Sequence, residues 1–425
     1  MKVNLAYGQG CLPVELPDDR VTVIEPSPIP ALADERAAVI AALENPIAAQ
    51  PLLDWIRPDD RICIVFTDIT RATPNDRLIP WLLAHLGRHP RENITLLNSL
   101  GTHRPNTRAE LEKMLTPAVV HDYRVINHEC ENPQELVALG TMRDGTPALI
   151  NRHLVEADVR IITGFIEPHF FAGFSGGPKG IIPGVAGLKT VMSNHGYKNI
   201  HHPDSTFGVT LGNPLWEEIR DVATRVGASF LLNVTLNEQR RITGVFAGHL
   251  IEAHQQGAEF VRRSAMQKVP APFEVVVTTN SGYPLDLNLY QAVKGMSAGA
   301  RILHPGGTLV MACECREGVP PQSAFEQFLH SVSGPDEILS KLATPGFVWP
   351  EQWQAHIQAL IQKKAEVHFF SSLSEASVRA AHLHPCRDIS AFVNQELNRL
   401  GPSARVAVLP QGPLTIPYLS ASNGE

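Results

Sequence analysis

The sequence predicts an α/β fold with two domains and largely parallel sheets. The chain has 425 residues, which is more than one hydrophobic core usually serves. Short apolar runs of β type alternate along it with amphipathic helical patterns, and this alternation is typical of α/β folds. A proline-rich stretch at 269–272 (VPAP) separates two such series. We therefore expect an N-terminal α/β domain over residues 1–270 and a C-terminal α/β domain over residues 271–425, with the option that the last residues pack back on the first domain.

Within the first domain, apolar runs at 61–66 (RICIVF), 93–98 (NITLLN) and 158–163 predict buried strands. Thr107 stands three residues before Glu110, and this capping box predicts a helix over 109–115. The other elements expected here are a helix around 79–86 with Pro80 acceptable only in its first turn, a helix over 185–194, a hairpin of strands 229–235 and 241–246, and a helix over 251–262.

The second domain begins a new series of elements after the proline-rich stretch. A strand over 274–279 precedes a helix over 287–298, and a Pro-Gly-Gly turn leads into a strand over 308–313. Several helical patterns follow, and a last strand is expected over 405–409. This order repeats the strand and helix alternation of the first domain.

Composition narrows the classes of function. The net charge of −7 leaves no basic face for nucleic acid or for an anionic membrane. The N-terminus lacks a charged start followed by an apolar stretch, and no apolar run reaches about 18 residues, so we expect a cytoplasmic protein. The 6 cysteines lie far apart without CxxC spacing, which indicates neither a zinc knuckle nor a disulfide framework. A small molecule is the expected ligand.

The stretch 161–195 gathers more unusual chemistry than any other part of the chain. It combines several glycines with Phe170, Phe171 and Phe174 and with two histidines and two lysines. A loop of this composition predicts backbone that packs closely against something bulky, and so a site loop.

Reactive side chains follow the predicted strands at their carboxyl ends. In open α/β sheets, Rossmann-like sheets among them, ligands bind outside these ends. We therefore expect the active site in the cleft between the two domains. The residues placed there are Asp68 and Arg71 after the first strand, His103 after the second, His169 after the third, and Tyr290, Gln291 and Lys294 after the first strand of the second domain.

Each of these residues also has a simpler interpretation. A loop histidine held by backbone groups explains His103 or His169 alone, but their equivalent positions after two strands favour a catalytic pair. Arg71 has the planar donors that suit bidentate recognition of a carboxylate. His195, at the end of a helix, could merely complement the helix dipole. Surface roles are expected for Lys189, Lys198, His201 and His202.

Five dispersed motifs then carry a resemblance to a known family. TDITRATP, GTHRP, GFIEPHFFAGFSGGPKGIIPG, SNH and LYQAVKG occur in this order between residues 67 and 295. With them the chain resembles lactate racemase and its homologues, the nickel-pincer nucleotide enzymes. The resemblance implies an isomerase, a racemase or epimerase that inverts C2 of a 2-hydroxy acid such as lactate. It also implies the family's cofactor, nickel held by pyridinium-3-thioamide-5-thiocarboxylic acid mononucleotide.

The resemblance implies a role for each matched residue. Lys179 would attach the cofactor covalently, and His195 would complete the nickel coordination, which suits imidazole beside sulfur donors. Pro178, directly before the lysine, departs from the basic or polar residue expected there. The other matched residues are His103 and His169 as the acid/base pair, Arg71 and Lys294 as holders of the substrate carboxylate, and Asp68, Tyr290 and Gln291 around the cofactor.

The implied reaction explains why this set is needed. The hydrogen on C2 of a 2-hydroxy acid is weakly acidic beside a carboxylate, so its removal as hydride to the nickel-pincer nucleotide is the easier route, while a base takes the hydroxyl proton. The resulting 2-keto acid can receive the hydride on its other face. Two histidines would serve the hydroxyls of the two enantiomers.

Other classes of function stay open at this point. A metal-dependent hydrolase could use His103, His169 and His195 as ligands of one metal, but it leaves Lys179 and the glycine-rich loop without a role. An inert nucleotide-binding protein is a third possibility, which the two histidines disfavour. The expected partners are a small 2-hydroxy acid and the proteins that build the cofactor, with no nucleic acid and no membrane. Neither the particular substrate nor the oligomeric state follows from the sequence.

Overall fold

The computed structural model describes residues 1–87 and 89–419, so residues 420–425 of the expected second domain lie outside the described residues. The strands in chain order are β1 (Lys2–Tyr7), β2 (Gly10–Glu15), β3 (Val21–Val23), β4 (Ile62–Thr67), β5 (Ile94–Ser99), β6 (Arg124–Asn127), β7 (Leu136–Thr141), β8 (Pro147–Asn151), β9 (Val159–Phe165), β10 (Pro168–His169), β11 (Gly173–Phe174), β12 (Phe230–Leu236), β13 (Ile242–His249), β14 (Met266–Val269), β15 (Phe273–Thr279), β16 (Leu303–Ala312), β17 (Ala365–Phe370), β18 (His384–Pro385), β19 (Val406–Leu409) and β20 (Ile416–Leu419).

The helices alternate with these strands. They are α1 (Glu35–Glu44), α2 (Asn75–Leu86), α3 (Arg108–Leu115), α4 (Pro117–Asp122), α5 (Arg152–Val155), α6 (Leu188–Asn194), α7 (Tyr197–Ile200), α8 (Pro214–Arg225), α9 (Glu252–Ala265), α10 (Leu289–Ala300), α11 (Ala324–His330), α12 (Pro335–Ala343), α13 (Gln352–Lys364), α14 (Glu375–Ala380) and α15 (Ile389–Leu400). None of the helices within residues 1–87 and 89–419 combines the length and the apolar character needed to cross a membrane.

The first sheet has six strands in the order β13-β12-β9-β4-β5-β6. Its neighbours are parallel except for the β12–β13 hairpin. Successive crossovers run from β4 to one edge and then from β9 to the other, so the strand order reverses between β4 and β9. This is the Rossmann-like arrangement, in which a crevice opens beyond the carboxyl ends of the two strands at the reversal.

The central strand β4 is buried on both faces. Ile62, Ile64 and Phe66 point into one hydrophobic cluster, while Cys63 and Val65 point into another. A parallel sheet covered by helices on both sides requires such a continuous apolar strand, which explains why the run RICIVF shows no alternation with polar residues.

The second sheet also has six strands, in the order β18-β17-β16-β15-β19-β3, and all its pairs are parallel. The predicted α/β class with largely parallel sheets is therefore confirmed. The strand β3 comes from the start of the chain, and the β1–β2 hairpin packs in the same hydrophobic cluster as β15. Residues 2–23 thus lie with the sheet of the second half, while β14 pairs with β20 from the other end of the chain. The domain boundary near residue 270 stays a prediction.

Two predicted helices differ from the observed ones. Helix α2 begins at Asn75, so Pro80 lies in its second turn and not in the first, where it was expected. The helix still forms because its apolar face, with Leu78, Ile79 and Leu82, is fully buried. Helix α6 begins at Leu188, three residues later than predicted, because 181–187 form a turn-rich loop. The Thr107–Glu110 capping box is confirmed at the start of α3.

Candidate active site

The loops after β4, β5 and β9 and the helix α10 converge on one cleft of about 130 Å³ at the reversal of strand order in the first sheet. It is lined by every residue predicted for the site, while the roles predicted for these residues stay predictions. These residues are Asp68, Arg71, His103, His169, Lys179, His195, Tyr290, Gln291 and Lys294.

The glycine-rich loop lies against bulky neighbours, as its composition predicts. Gly177 has φ +55°, and a Cβ atom there would lie 2.5 Å from the ring of His254. Its N–H donates to the side-chain oxygen of Asn233 at 2.7 Å, and the carbonyl of Ser175 accepts from His254 Nε2 at 2.9 Å. Only glycine fits where backbone approaches a buried ring this closely in a left-handed conformation.

Pro178 is the second residue of the short 3-10 turn over Gly177–Gly180 that carries Lys179. Proline suits the first turn of a helix because its missing N–H is not needed there and its φ is already helical. The carbonyl of Pro178 accepts from the N–H groups of Ile181 and Ile182. The departure at Pro178 therefore fits the loop that holds the lysine.

His103 and Asp68 form a hydrogen-bonded pair at the carboxyl end of β4. His103 Nδ1 lies 2.9 Å from Asp68 Oδ2, and the hydroxyl of Thr70 donates to the same carboxylate at 2.9 Å. Burial by itself would raise the pKa of Asp68, but His103, Arg71 and Thr70 together hold it below its usual value. An ionised Asp68 keeps the proton of a neutral His103 on Nδ1 and leaves Nε2 free to accept one. This geometry favours a positioning role for Asp68, and its predicted contact with a cofactor stays a prediction.

His169 is held differently. It ends β10, and its Nδ1 accepts from the backbone N–H of Ala172 at 3.2 Å. Burial, together with the positive charges of Lys179, Arg71 and Lys294, lowers the pKa of His169 well below its usual value. The ring is thus neutral at physiological pH, with its proton on Nε2.

His195 lies at the end of α6 between two aromatic rings. Its ring centroid is 5.2 Å from that of Phe171 and 5.2 Å from that of Trp353, both edge to face. Its Nδ1 is buried and has no hydrogen-bond partner within residues 1–87 and 89–419. Burial and the charge of Lys179 lower the pKa of His195 well below its usual value, so the imidazole is neutral.

Three basic side chains, Arg71, Lys179 and Lys294, face the cleft. Burial and the charges of Arg71 and Lys294 lower the pKa of Lys179 to about 7. Burial and Arg71 lower the pKa of Lys294 to about 8, and its Nζ donates to Gln291 Oε1 at 2.7 Å. The positive charges of these side chains repel one another, and within residues 1–87 and 89–419 most of their donors have no protein acceptor, so the cleft favours anions.

Helix α13 contributes two site residues that sequence reasoning missed. Trp353 Nε1 donates to the hydroxyl of Tyr290 at 2.8 Å, and the side-chain amide of Gln354 donates to the carbonyl of Tyr290. Burial, with the charge of Glu351, raises the pKa of Tyr290 above its usual range. No local pattern marks Trp353 or Gln354, because α13 reaches the cleft only through tertiary packing against α10.

The three-histidine metal site considered as an alternative does not form. Across residues 1–87 and 89–419, no group of three or more His, Cys, Asp or Glu side chains is placed to hold a metal ion. His103 and His169 instead use their Nδ1 atoms for Asp68 and for the backbone. The geometry therefore does not favour a hydrolase built on these histidines.

Comparison with known proteins agrees with this site. Residues 7–208 match the model of the lactate racemase N-terminal domain, and residues 267–416 match that of the lactate racemase C-terminal domain. The chain belongs to the lactate racemase family. Its members are isomerases, and so is this chain.

Two lactate racemases illustrate how far the likeness extends. The lactate racemase of Thermoanaerobacterium thermosaccharolyticum is 32% identical over 417 residues, which cover 96% of this chain and 97% of that protein. The lactate racemase of Lactiplantibacillus plantarum is 34% identical over 383 residues, which cover 89% and 90% of the two chains.

Solved structures share the fold. The lactate racemase apoprotein of T. thermosaccharolyticum superposes with a TM-score of 0.92 over 98% of this chain and 100% of that one. A Thermotoga maritima protein that is 19% identical superposes with a TM-score of 0.69 over 91% of this chain and 98% of that one, which shows a shared fold alone.

Proposed function

We propose that the protein interconverts the enantiomers of a 2-hydroxy acid, lactate or a close relative, with a nickel-pincer nucleotide bound in the cleft. The observation that carries this proposal is the meeting in one cleft of two differently held histidines, two cations, a lysine with a strongly lowered pKa, and a buried imidazole whose Nδ1 has no partner among the described residues. Both curated relatives reported above are lactate racemases, which adds weight to this choice of substrate class.

The residues of the cleft fit the proposed cofactor. The Lys179 amine, with a pKa lowered to about 7, is substantially neutral at physiological pH and could condense with a thioacid to a thioamide, with loss of water and retention of the sulfur. A neutral His195 in an aromatic environment can offer a nitrogen to a metal that also has sulfur ligands. When bound, the nucleotide and its nickel supply an electrophilic centre that can take the C2 hydrogen with its electron pair.

Arg71 and Lys294 are placed to hold the substrate carboxylate. Both line the cleft beside His169, and the Arg71 guanidinium donates to no acceptor within the described part of the chain. A fixed carboxylate keeps the keto acid in place while it turns its other face toward the reacting centre. The same two cations favour a carboxylate over a neutral group at this point.

His103 and His169 are proposed to move the hydroxyl proton. His103 Nε2 is free to accept a proton because Asp68 holds the one on Nδ1. His169 Nε2 carries a proton that can be donated to a substrate oxygen. The burial of His169 in a wall of phenylalanine rings also excludes water from that side of the cleft.

The proposal is tested on protein produced in a host that makes the cofactor. We expect chiral chromatography to show conversion of either lactate enantiomer to the mixture, nickel close to one equivalent, and an intact-mass adduct of nucleotide size on the Lys179 peptide. Lys179→Ala should lose the adduct and His195→Ala most of the nickel. Holoprotein that carries nickel and nucleotide but converts no 2-hydroxy acid would contradict the proposed reaction.

Arg71→Lys separates the carboxylate contact from charge alone. A planar guanidinium offers two parallel donors where an ammonium offers a point charge, so kcat/KM should fall by about tenfold or more. Arg91→Lys, on the surface near Asp122, is the matched control and should leave kcat/KM unchanged. Equal kcat/KM values for Arg71→Lys and the unchanged protein would remove Arg71 from the substrate contact.

A further inference from the structure

His254 lies in the first turn of α9, against the glycine-rich loop, and does not line the cleft. Its side chain is fully buried. Its ring centroid lies 6.3 Å from that of Trp216, and the two rings are inclined by only 20°. A buried imidazole that takes no part in the proposed reaction needs another explanation.

The two nitrogens of this ring have different surroundings. Nε2 lies 2.9 Å from the carbonyl oxygen of Ser175, which can only accept, so the proton of the neutral ring is on Nε2. Burial, with the charge of Lys179, lowers the pKa of His254 to about 4 and keeps the ring neutral at physiological pH. Nδ1 is buried and has no partner among the described residues, 1–87 and 89–419. A phenylalanine ring would avoid the cost of this unpaired nitrogen, but it could not donate to Ser175.

Hydrogen bonds from three sides fix the glycine-rich loop ahead of its lysine. The hydroxyl of Ser175 donates to the carbonyl of Phe165 in β9 at 3.0 Å. The N–H of Gly177 donates to the side chain of Asn233 in β12 at 2.7 Å. His254 supplies the third contact, and within the described part of the chain no other group donates to the Ser175 carbonyl. Loss of the imidazole N–H would therefore leave this buried carbonyl without a donor.

The backbone between Ser175 and Lys179 is short and tightly folded. Gly176 and Gly177 have φ of +75° and +55°, and the N–H of Lys179 donates back to the carbonyl of Gly176 at 3.1 Å. Pro178 fixes one further φ. A displacement of the Ser175 carbonyl would therefore also displace the lysine side chain.

We propose that His254 is a positioning residue for cofactor attachment: its hydrogen bond to the Ser175 carbonyl holds the glycine-rich loop in the shape that directs Lys179 into the cleft. The inference rests on the proposed function, because it takes Lys179 as the point of attachment. His254 acts through the loop and touches neither substrate nor cofactor. Such placement matters because a misplacement of about 1 Å can lower a rate by about 10².

Two substitutions separate the hydrogen bond from the packing of the ring. His254→Phe keeps an aromatic ring of similar size and removes the donor. His254→Gln removes the ring and keeps an N–H donor near the position of Nε2. His89→Phe is the matched control, because His89 Nε2 also lies 2.8 Å from a backbone carbonyl, that of Asp60, outside the glycine-rich loop.

Hydrogen exchange on the cofactor-free protein measures the loop without turnover. His254→Phe should speed exchange of the amides of Gly177 and Lys179 by about tenfold or more, because the loop opens more easily without this hydrogen bond. His254→Gln and His89→Phe should stay within about twofold of the unchanged protein. Exchange in β16, in the second sheet, should be the same in all variants and shows that the rest of the fold is intact.

Production in a host that makes the cofactor gives the second measurement. His254→Phe should lose most of the adduct on the Lys179 peptide, whereas His254→Gln should retain it. Where the unchanged protein carries the adduct, the proposal is overturned if His254→Phe alters neither or only one of loop exchange and adduct, or if His254→Gln disturbs the loop and His254→Phe does not. Faster loop exchange in His254→Phe, with no adduct even on the unchanged protein, contradicts the proposed attachment and leaves the fixing of the loop by His254 supported.

Discussion

The imidazoles of His103 and His169 are held by partners of opposite kind. A carboxylate faces Nδ1 of His103, whereas backbone N–H groups face Nδ1 of His169. Two neutral histidines in these settings carry their protons on different nitrogens, so one presents a lone pair to the cleft and the other presents an N–H. In the proposed reaction, the pair would therefore start with His103 as the base and His169 as the acid.

Asp68 should act through His103 alone. Asp68→Asn and His103→Asn should each lower racemisation by on the order of 10²–10⁴, as the loss of a general base or of its orientation does. The double variant should be no slower than His103→Asn, because the two side chains form one hydrogen-bonded unit. Initial rates from chiral chromatography give this comparison. Fully additive losses would place Asp68 in a separate function, such as contact with the cofactor.

The double variant of His169→Asn and Asp68→Asn is the control for the comparison of Asp68 with His103. These side chains make no hydrogen bond to each other, and they belong to different loops. We expect their effects on the rate to multiply.

Lys179 should titrate far below an ordinary lysine. Its pKa of about 7 means that the amine is half neutral near pH 7, whereas ordinary lysines need a pH near 10.4. In protein without cofactor, modification of Lys179 by an amine-selective reagent should rise with pH and level off just above 7, as followed by peptide mass spectrometry. A rate that keeps rising to pH 10 would show that Lys179 is charged in the cleft and is a poor nucleophile for attachment.

The residues at the strand ends could be predicted because their positions depend on local sequence and one topological rule. Asp68, His103 and His169 follow apolar runs, and parallel neighbouring strands bring such residues together. Trp353 and Gln354 escaped prediction for a different reason. Their importance comes from what surrounds them after folding, and nothing in the adjacent residues indicates it.

At the scale of elements, Glu35 ties helix α1 to the antiparallel edge of the first sheet. Its Oε1 accepts from the N–H of Ile242 at 2.8 Å and from Arg241 Nε at 3.1 Å, and its other oxygen pairs with Arg77. The side chain is only 8% exposed. One carboxylate thus joins α1, α2 and the hairpin of β12 and β13.

Glu35→Gln should therefore lower the free energy of unfolding by about 1–2 kcal/mol, since one charged acceptor serves several donors. Glu44→Gln, on the exposed end of the same helix, is the control. Burial tends to raise the pKa of Glu35, but Ile242, Arg241 and Arg77 bring it below the usual 4.5. Its contribution is complete above pH 4.5 and is lost as the pH falls further. Urea unfolding should show a larger difference between the two variants at pH 7 than at pH 3.

The strands were predictable within a few residues at most ends because each is a short apolar run between turn residues. β4, β5 and β9 begin one residue after the predicted starts. The position of Pro80 within its helix was predicted wrongly. Burial of one face of α2 stabilises the helix more than the loss of one backbone hydrogen bond destabilises it, and helix propensity alone does not include burial. The β10–β11 hairpin in the glycine-rich loop has only two residues in each strand, too few for any periodicity.

Across the whole molecule, buried neutral histidines set the response to acid. Burial is the main cause of lowered pKa in His128, His169 and His195, and it lowers the pKa of His254 to about 4 and that of His356 to about 3. The unfolded chain binds protons near pH 6.5, where these folded histidines do not. The contribution of these neutral histidines to the free energy of unfolding is therefore fully present above pH 6.5 and falls as the pH drops toward 4.

His356 gives a direct test of this response. Its Nε2 lies 3.2 Å from His201 Nδ1, and its ring stacks on Tyr197, so it joins α13 to the segment around α7. His356→Gln should reduce the slope of unfolding free energy against pH by close to one proton between pH 6 and pH 4.5, as measured by urea unfolding. An unfolding free energy that stays constant from pH 7.5 to pH 5 would contradict the expected loss of stability through the buried histidines.

The pairing of β3 with β19 has a consequence for synthesis. Val21 lies opposite Val406, so β3 cannot pair until a strand far later in the sequence has been made. The first sheet uses strands between Ile62 and His249 and can form while translation continues. The β1–β2 hairpin and β3, with their apolar side chains, stay uncovered until β19 has been made. Completion of the second sheet therefore waits until β19 has been made, and the segment of β1, β2 and β3 is the one that a chaperone would need to shield.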